Sequence, residues 1–114
     1  MVTALKRCAF VLLLLSGSPA FAGASNFILV NGTGSAMADV SITRSGAKDW
    51  APLGASAAAG ARSPVKFSNQ DCAFDIRANV AGSQVTWAGV NLCDVKSVVL
   101  KRDGSAGAWV DYDQ

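Results

Sequence analysis

The sequence predicts an all-β fold: one small antiparallel β-sandwich or barrel of about seven strands, stapled by a single disulfide. Three observations carry this expectation. Between Cys72 and Val80, apolar and polar residues alternate with a period of two, the mark of a half-buried strand. Turn signals rich in Gly, Asn, Asp and Ser recur every eight to twelve residues. No helix-length amphipathic segment separates the strand-like runs, which argues against a parallel α/β sheet.

The N-terminal residues read as an address rather than as part of the fold. Lys6 and Arg7 precede an apolar run from Cys8 to Leu15, Ser16–Pro19 breaks it, and Ala20-Phe21-Ala22 has the small-x-small pattern of a cleavage site. The run is well short of the roughly 20 residues a membrane-spanning helix needs. The expected organisation is a signal peptide over 1–22 and one exported β-domain over 23–114, without repeats, linkers or a membrane span after processing.

Each strand follows from local pattern. Asn26–Val30 is a short apolar run closed by Asn31-Gly32-Thr33-Gly34, which reads as a strand and a turn. Asn31-Gly32-Thr33 also matches the N-glycosylation triplet, a match read as chance. In Asp39–Arg44, Val40 and Ile42 point inward and Ser41 and Thr43 outward. Ser45–Asp49 is a polar loop leading to Trp50, and Gly54–Arg62, made of small residues, reads as a surface loop with no apolar stripe to hold a helix. Pro64–Phe67 is a short strand whose proline suits an edge. Cys72–Val80 and a returning strand through Val85 and Trp87 form a hairpin turning at Gly82-Ser83. Val95–Lys101 and Ala108–Tyr112 form a second hairpin around Asp103-Gly104, with Val110 and Tyr112 inward and Trp109 on the polar face with Asp111.

Charge and cysteine content follow from removing the leader. Two of the ten basic residues, Lys6 and Arg7, leave with it, so eight remain against eight aspartates and the net charge of 23–114 is zero. A basic footprint for nucleic acid is therefore absent. Cys8 leaves as well, and Cys72 and Cys93 remain as an even pair in an exported chain, the setting in which cysteines form disulfides. A closed loop of this length is worth roughly 3 kcal/mol by chain entropy, a large share of the stability of a domain this small.

The segments Asn31–Gly34, Ser45–Trp50, Cys72–Ala78 and Trp87–Cys93 together resemble a group of small exported bacterial β-proteins with no established activity. The shared core is Cys-x-Phe/Tyr-Asp-Ile/Leu-Arg followed by Trp-x-Gly-Val-x-Leu-Cys. The resemblance spans most of residues 23–114. It implies a fold and a periplasmic or secreted location, and supplies no catalytic residue.

The chemistry of the chain is limited by what it lacks. The sequence has no histidine and no glutamate, which removes Ser-His-Asp and Cys-His catalysis and histidine-based zinc sites. Bonded cysteines offer no thiolate, and no glycine-rich phosphate loop opens a helix. No cofactor is implied. Asp71 and Asp75 flank Cys72, and Asp111 and Asp113 share a strand face. Such carboxylates suit either a Ca²⁺-dependent binder or small hydrolase, or ordinary solvated decoration. Asp75 and Arg77, two apart on one face, read as an ion pair. Trp50 and Trp109 are the candidate binding aromatics, Trp50 the more exposed of the two, while Trp87 continues an inward face and reads as core. The expected function is a non-enzymatic interaction module that binds a protein or envelope component through some of Trp50, Trp109, Asp75 and Arg77. The alternative is the aspartate-based Ca²⁺ binder or hydrolase. N-terminal sequencing of the exported chain checks the processing expectation: the first residue should be Gly23.

Overall fold

The computed structural model describes residues 23–54, 57–103 and 107–113. The expected signal peptide (1–22) and residues 104–106 of the last hairpin turn lie outside the described residues. Among these residues eight strands form: β1 (Phe27–Gly32), β2 (Met37–Arg44), β3 (Ala51–Pro52), β4 (Arg62–Val65), β5 (Ala73–Val80), β6 (Ser83–Asn91), β7 (Ser97–Arg102) and β8 (Ala108–Asp113). They make two four-stranded sheets, ordered β4-β1-β7-β8 and β3-β2-β5-β6. The inner faces enclose one core in which Leu29, Phe74, Ile76, Trp87, Leu92, Val98 and Leu100 are each at most 2% exposed. The all-β sandwich is as expected from sequence. The strand beyond seven is the two-residue β3, too short to announce itself by alternation.

One strand pair departs from the antiparallel expectation. β1 and β7 run parallel at the centre of the first sheet, with Leu29 opposite Val98 and Val30 opposite Val99. Both strands carry unbroken apolar runs, Phe27–Val30 and Val98–Leu100, whereas β5 and β6 alternate. Unbroken runs are the habit of parallel strands apolar on both faces. Antiparallel β4 and β8 close the two sides of this sheet. Pro64 is on the edge strand β4, where its missing N–H is tolerated.

The second sheet is organised by the β5–β6 hairpin. Its two-residue turn is Ala81-Gly82, one residue earlier than the Gly82-Ser83 expected. Both residues have positive φ (51° and 84°), as a type I′ turn demands. At the open end, Leu92 N–H donates to the Cys72 carbonyl at 2.9 Å and the Cys72–Cys93 disulfide closes the unit. Trp87 crosses the core, and its indole N–H donates to the Lys101 carbonyl of the opposite sheet at 2.8 Å. A buried tryptophan thus finds the partner its polar atom requires. β6 and β8 lie close together, and the Asn91 N–H donates to the Tyr112 hydroxyl at 2.9 Å across that side.

Asn31, fully buried at the end of β1, ties down the small-residue loop. Its Nδ2 donates to the carbonyls of Ser35 (2.7 Å), Ala57 (3.1 Å) and Ala58 (3.2 Å). Its Oδ1 accepts from the Thr33 N–H at 3.1 Å and the Thr33 hydroxyl at 2.6 Å. The main chain adds Asn31 N–H to Ala61 O and Gly60 N–H to Asn31 O. Of the Gly54–Arg62 run, residues 57–61 form a loop at the surface and lie against this amide, which small residues suit, while residues 55 and 56 lie outside the described residues. The same burial leaves no room for a glycan on the Asn31-Gly32-Thr33 triplet.

Replacing Asn31 by Ala strips donors from three carbonyls and leaves part of them unsatisfied. The expected loss is about 2–4 kcal/mol, read as a lower urea midpoint at unchanged slope. Asn31→Asp loses more at neutral pH, because a carboxylate has no donor for those carbonyls.

Candidate functional site

The candidate residues fall on opposite sides of the sandwich. In β5, Ile76 and Ala78 point into the core, so Asp75 and Arg77 stand on the outer face of β3-β2-β5-β6. Trp50, in the loop before β3, lies over that face, with the Arg77 guanidinium carbon 4.1 Å from its ring centroid. A cation over an indole is held by the ring quadrupole, and both side chains are half-buried. Trp50 is thus less exposed than Trp109, the reverse of the sequence expectation, because Arg77 covers it.

The expected Asp75–Arg77 ion pair does not form; among the described residues the ion pair within 4 Å joins Arg44 and Asp71, at 3.5 Å. Arg77 turns to Trp50, and Asp75 has other work. Its Oδ1 accepts from the Ser45 hydroxyl and the Gly89 N–H, both at 2.9 Å. The β5–β6 register slips between Phe74 and Ile76, and Gly89 sits at that bulge with φ 67°, the left-handed conformation a glycine bulge uses. The carboxylate therefore pins a bulge and a loop. The Arg44–Asp71 pair is exposed on both sides and contributes little.

Thr43 was expected to face solvent, yet it is 4% exposed. It does point to the outer face, but the loop to Asp49 folds back over it and its hydroxyl donates to Asp49 Oδ1 at 2.8 Å. This bond, joined by the Asp49 backbone N–H and the nearby Arg44 charge, holds the Asp49 carboxyl below its ordinary value.

The outer face of β4-β1-β7-β8 has a different character. Strand register places Pro64, Ile28, Ser97 and Asp113 in one row across it, and Arg62, Val30, Val99 and Asp111 in the next. A third row holds Gly32, Lys101 and Trp109. Ile28, Val30 and Val99 are only half-buried, and Trp109 is 46% exposed. Gly32 is required by close approach: a Cβ there would meet Val99 Cγ1 at 2.7 Å. Apolar side chains thus run across the middle of a sheet face that no other strand among the described residues covers. At one end a groove of about 370 Å³ opens between Ile28, Pro64, Val95 and Lys96. Sequence reasoning found Trp109 on this face but missed Ile28, Val30, Val99 and Arg62. The signal was present in the unbroken runs Phe27–Val30 and Val98–Leu100, since a strand needing only one buried face would alternate.

Among the described residues no three Asp, Glu, Cys or His side chains converge as a metal-binding group. Asp111 and Asp113 lie with Trp109 in β8 of the first sheet, whereas Asp75 lies in β5 of the second and Asp71 in the loop before it. Compared with protein-family models, curated proteins and solved structures, the chain matches none.

The Thr43–Asp49 bond gives a pH-dependent signature. Because the folded carboxyl lies below its unfolded value, the bond's stabilisation is complete above the ordinary carboxylate range and fades as pH falls through the lowered value. In an NMR titration, Thr43→Val should bring the Asp49 midpoint back up toward the ordinary value.

Proposed function

We propose that the domain is a non-enzymatic interaction module of the periplasm or cell exterior that binds through the outer face of β4-β1-β7-β8. The observation that carries this reading is the apolar cluster of Ile28, Val30 and Val99 beside the exposed Trp109, on a face that no other described strand covers. An apolar centre with an aromatic anchor and a charged margin is the anatomy of a protein-binding patch. Arg62, Lys101, Asp111 and Asp113 supply that margin. The Trp50–Arg77–Asp75 group fits a structural role better, since each member is engaged within the chain.

The reading agrees with the chemistry of the sequence. Without histidine or glutamate, and with Cys72 and Cys93 bonded to each other, the chain has no conventional general base or thiolate nucleophile. The aspartates are dispersed, which leaves the Ca²⁺-dependent alternative without a cluster among the described residues to support it. A disulfide fits an oxidising compartment. No helix among the described residues is long and apolar enough to cross a membrane.

Capture from an envelope extract tests the reading when the variants are run alongside. A binding partner should be retained in EGTA and with Ca²⁺ alike, lost by about tenfold or more on Trp109→Ala, and kept on Trp50→Ala. Capture that requires Ca²⁺, or that follows Trp50, contradicts it.

A further inference from the structure

We infer that the partner this face takes is a second copy of the same chain, packed face to face about a twofold axis parallel to the strands. The inference rests on the reading of this face as the binding surface and names its occupant. Its basis is the charge layout. The β4 side of the face carries Arg62, and the β8 side carries Asp111 and Asp113, with the apolar Ile28, Val30 and Val99 between them. Arg62 and Asp111 stand in one row, at opposite edges of the sheet.

A twofold axis running between β1 and β7 exchanges the two sides of the sheet. It sets β4 of one copy over β8 of the other, and β1 over β7. Arg62 then meets Asp111 of the second copy, and the same contact recurs on the far side, as an isologous interface requires. Val30 meets Val99, again twice. Trp109 comes to the end of β4 preceded by Gly60, where open space stands in place of a side chain. Positive meets negative, apolar meets apolar, and the large side chain meets the smallest residue. Aligned stacking of two sheets is an ordinary packing mode. The zero net charge of residues 23–114 sets no overall repulsion against it.

Among the described residues neither Arg62 nor Asp111 has an ion-pair partner in its own chain. Arg62 and Asp111 are separated by three strand spacings, roughly 14 Å, and no ion pair joins them. Three strands about 20 Å long and the shorter β4 present a face of roughly 350 Å² in projection, about 700 Å² over two copies, below the standard size and in the class of weak, transient contacts. The dimer is therefore reversible, forming between about 10 µM and about 1 mM.

Sedimentation equilibrium on the exported, disulfide-intact chain tests this with charge-swap variants. The native chain should pass from one-chain to two-chain mass across that concentration range. Arg62→Asp and Asp111→Arg, each placing like charges opposite one another twice, should each weaken dimerisation by about tenfold or more. The double variant Arg62→Asp/Asp111→Arg should restore it, which only contact between copies explains at that separation. A native chain that stays monomeric, single swaps without effect, or a double swap without recovery overturns the inference. A monomer that still captures an envelope protein through Trp109 leaves the binding face standing and replaces its occupant. A monomer with no Trp109-dependent capture removes both.

Discussion

The parallel pairing of β1 with β7 is the constraint on which the rest of the molecule depends. These two strands hold the centre of the first sheet, and their apolar runs supply both faces of it. Phe27, Leu29, Val98 and Leu100 build the core, and hydrophobic burial of this kind is the dominant favourable contribution to folding. Ile28, Val30 and Val99 point the other way, onto a face without a covering layer. A sequence selected only for a two-layer core would place polar residues at those positions, as β6 does with Gln84 and Thr86. The apolar outer face is therefore a property of the sheet's centre, and it is the face on which we propose that a partner binds.

Polar devices hold the connections around this centre. Asn31 fills the end of β1 and satisfies carbonyls from two loops. Trp87 joins the sheets with one hydrogen bond through the core. Asp75 holds the bulge of β6 to the loop after β2, and the disulfide closes the hairpin where its ladder ends. The buried side chains of Asn31, Thr43 and Trp87 have their partners, the condition under which polar groups specify a fold instead of weakening it. The two sheets divide these tasks: one outer face is polar and internally bonded, the other apolar and open.

Much of the fold was legible in the sequence where alternation was strict. β5 and β6, from Cys72 to Cys93, were readable strand by strand, including the inward Trp87 and the disulfide. The parallel pair was not, because an unbroken run such as Phe27–Val30 has no period to fix its direction or its partner. The Asn31 network was hidden for another reason: two of the three carbonyls it binds lie 26 and 27 residues away in sequence, and small-residue loops carry no pattern. The site was legible in half. Trp109 followed from the phase of β8, but the cover that Arg77 gives Trp50 depends on a loop path, and the apolar neighbours of Trp109 come from strands distant in sequence.

The account places binding on one sheet face and structure on the other. The most direct measurement is a concentration series of NMR spectra of residues 23–114, following the methyl groups of Val30 and Val99 and the indole N–H signals of Trp109 and Trp50. The account predicts concentration-dependent shifts for Val30, Val99 and Trp109, with Trp50 and the Thr86 methyl unmoved. Shifts confined to Trp50 and Thr86 would contradict it, and no shift at any concentration would remove a second copy as the occupant of this face.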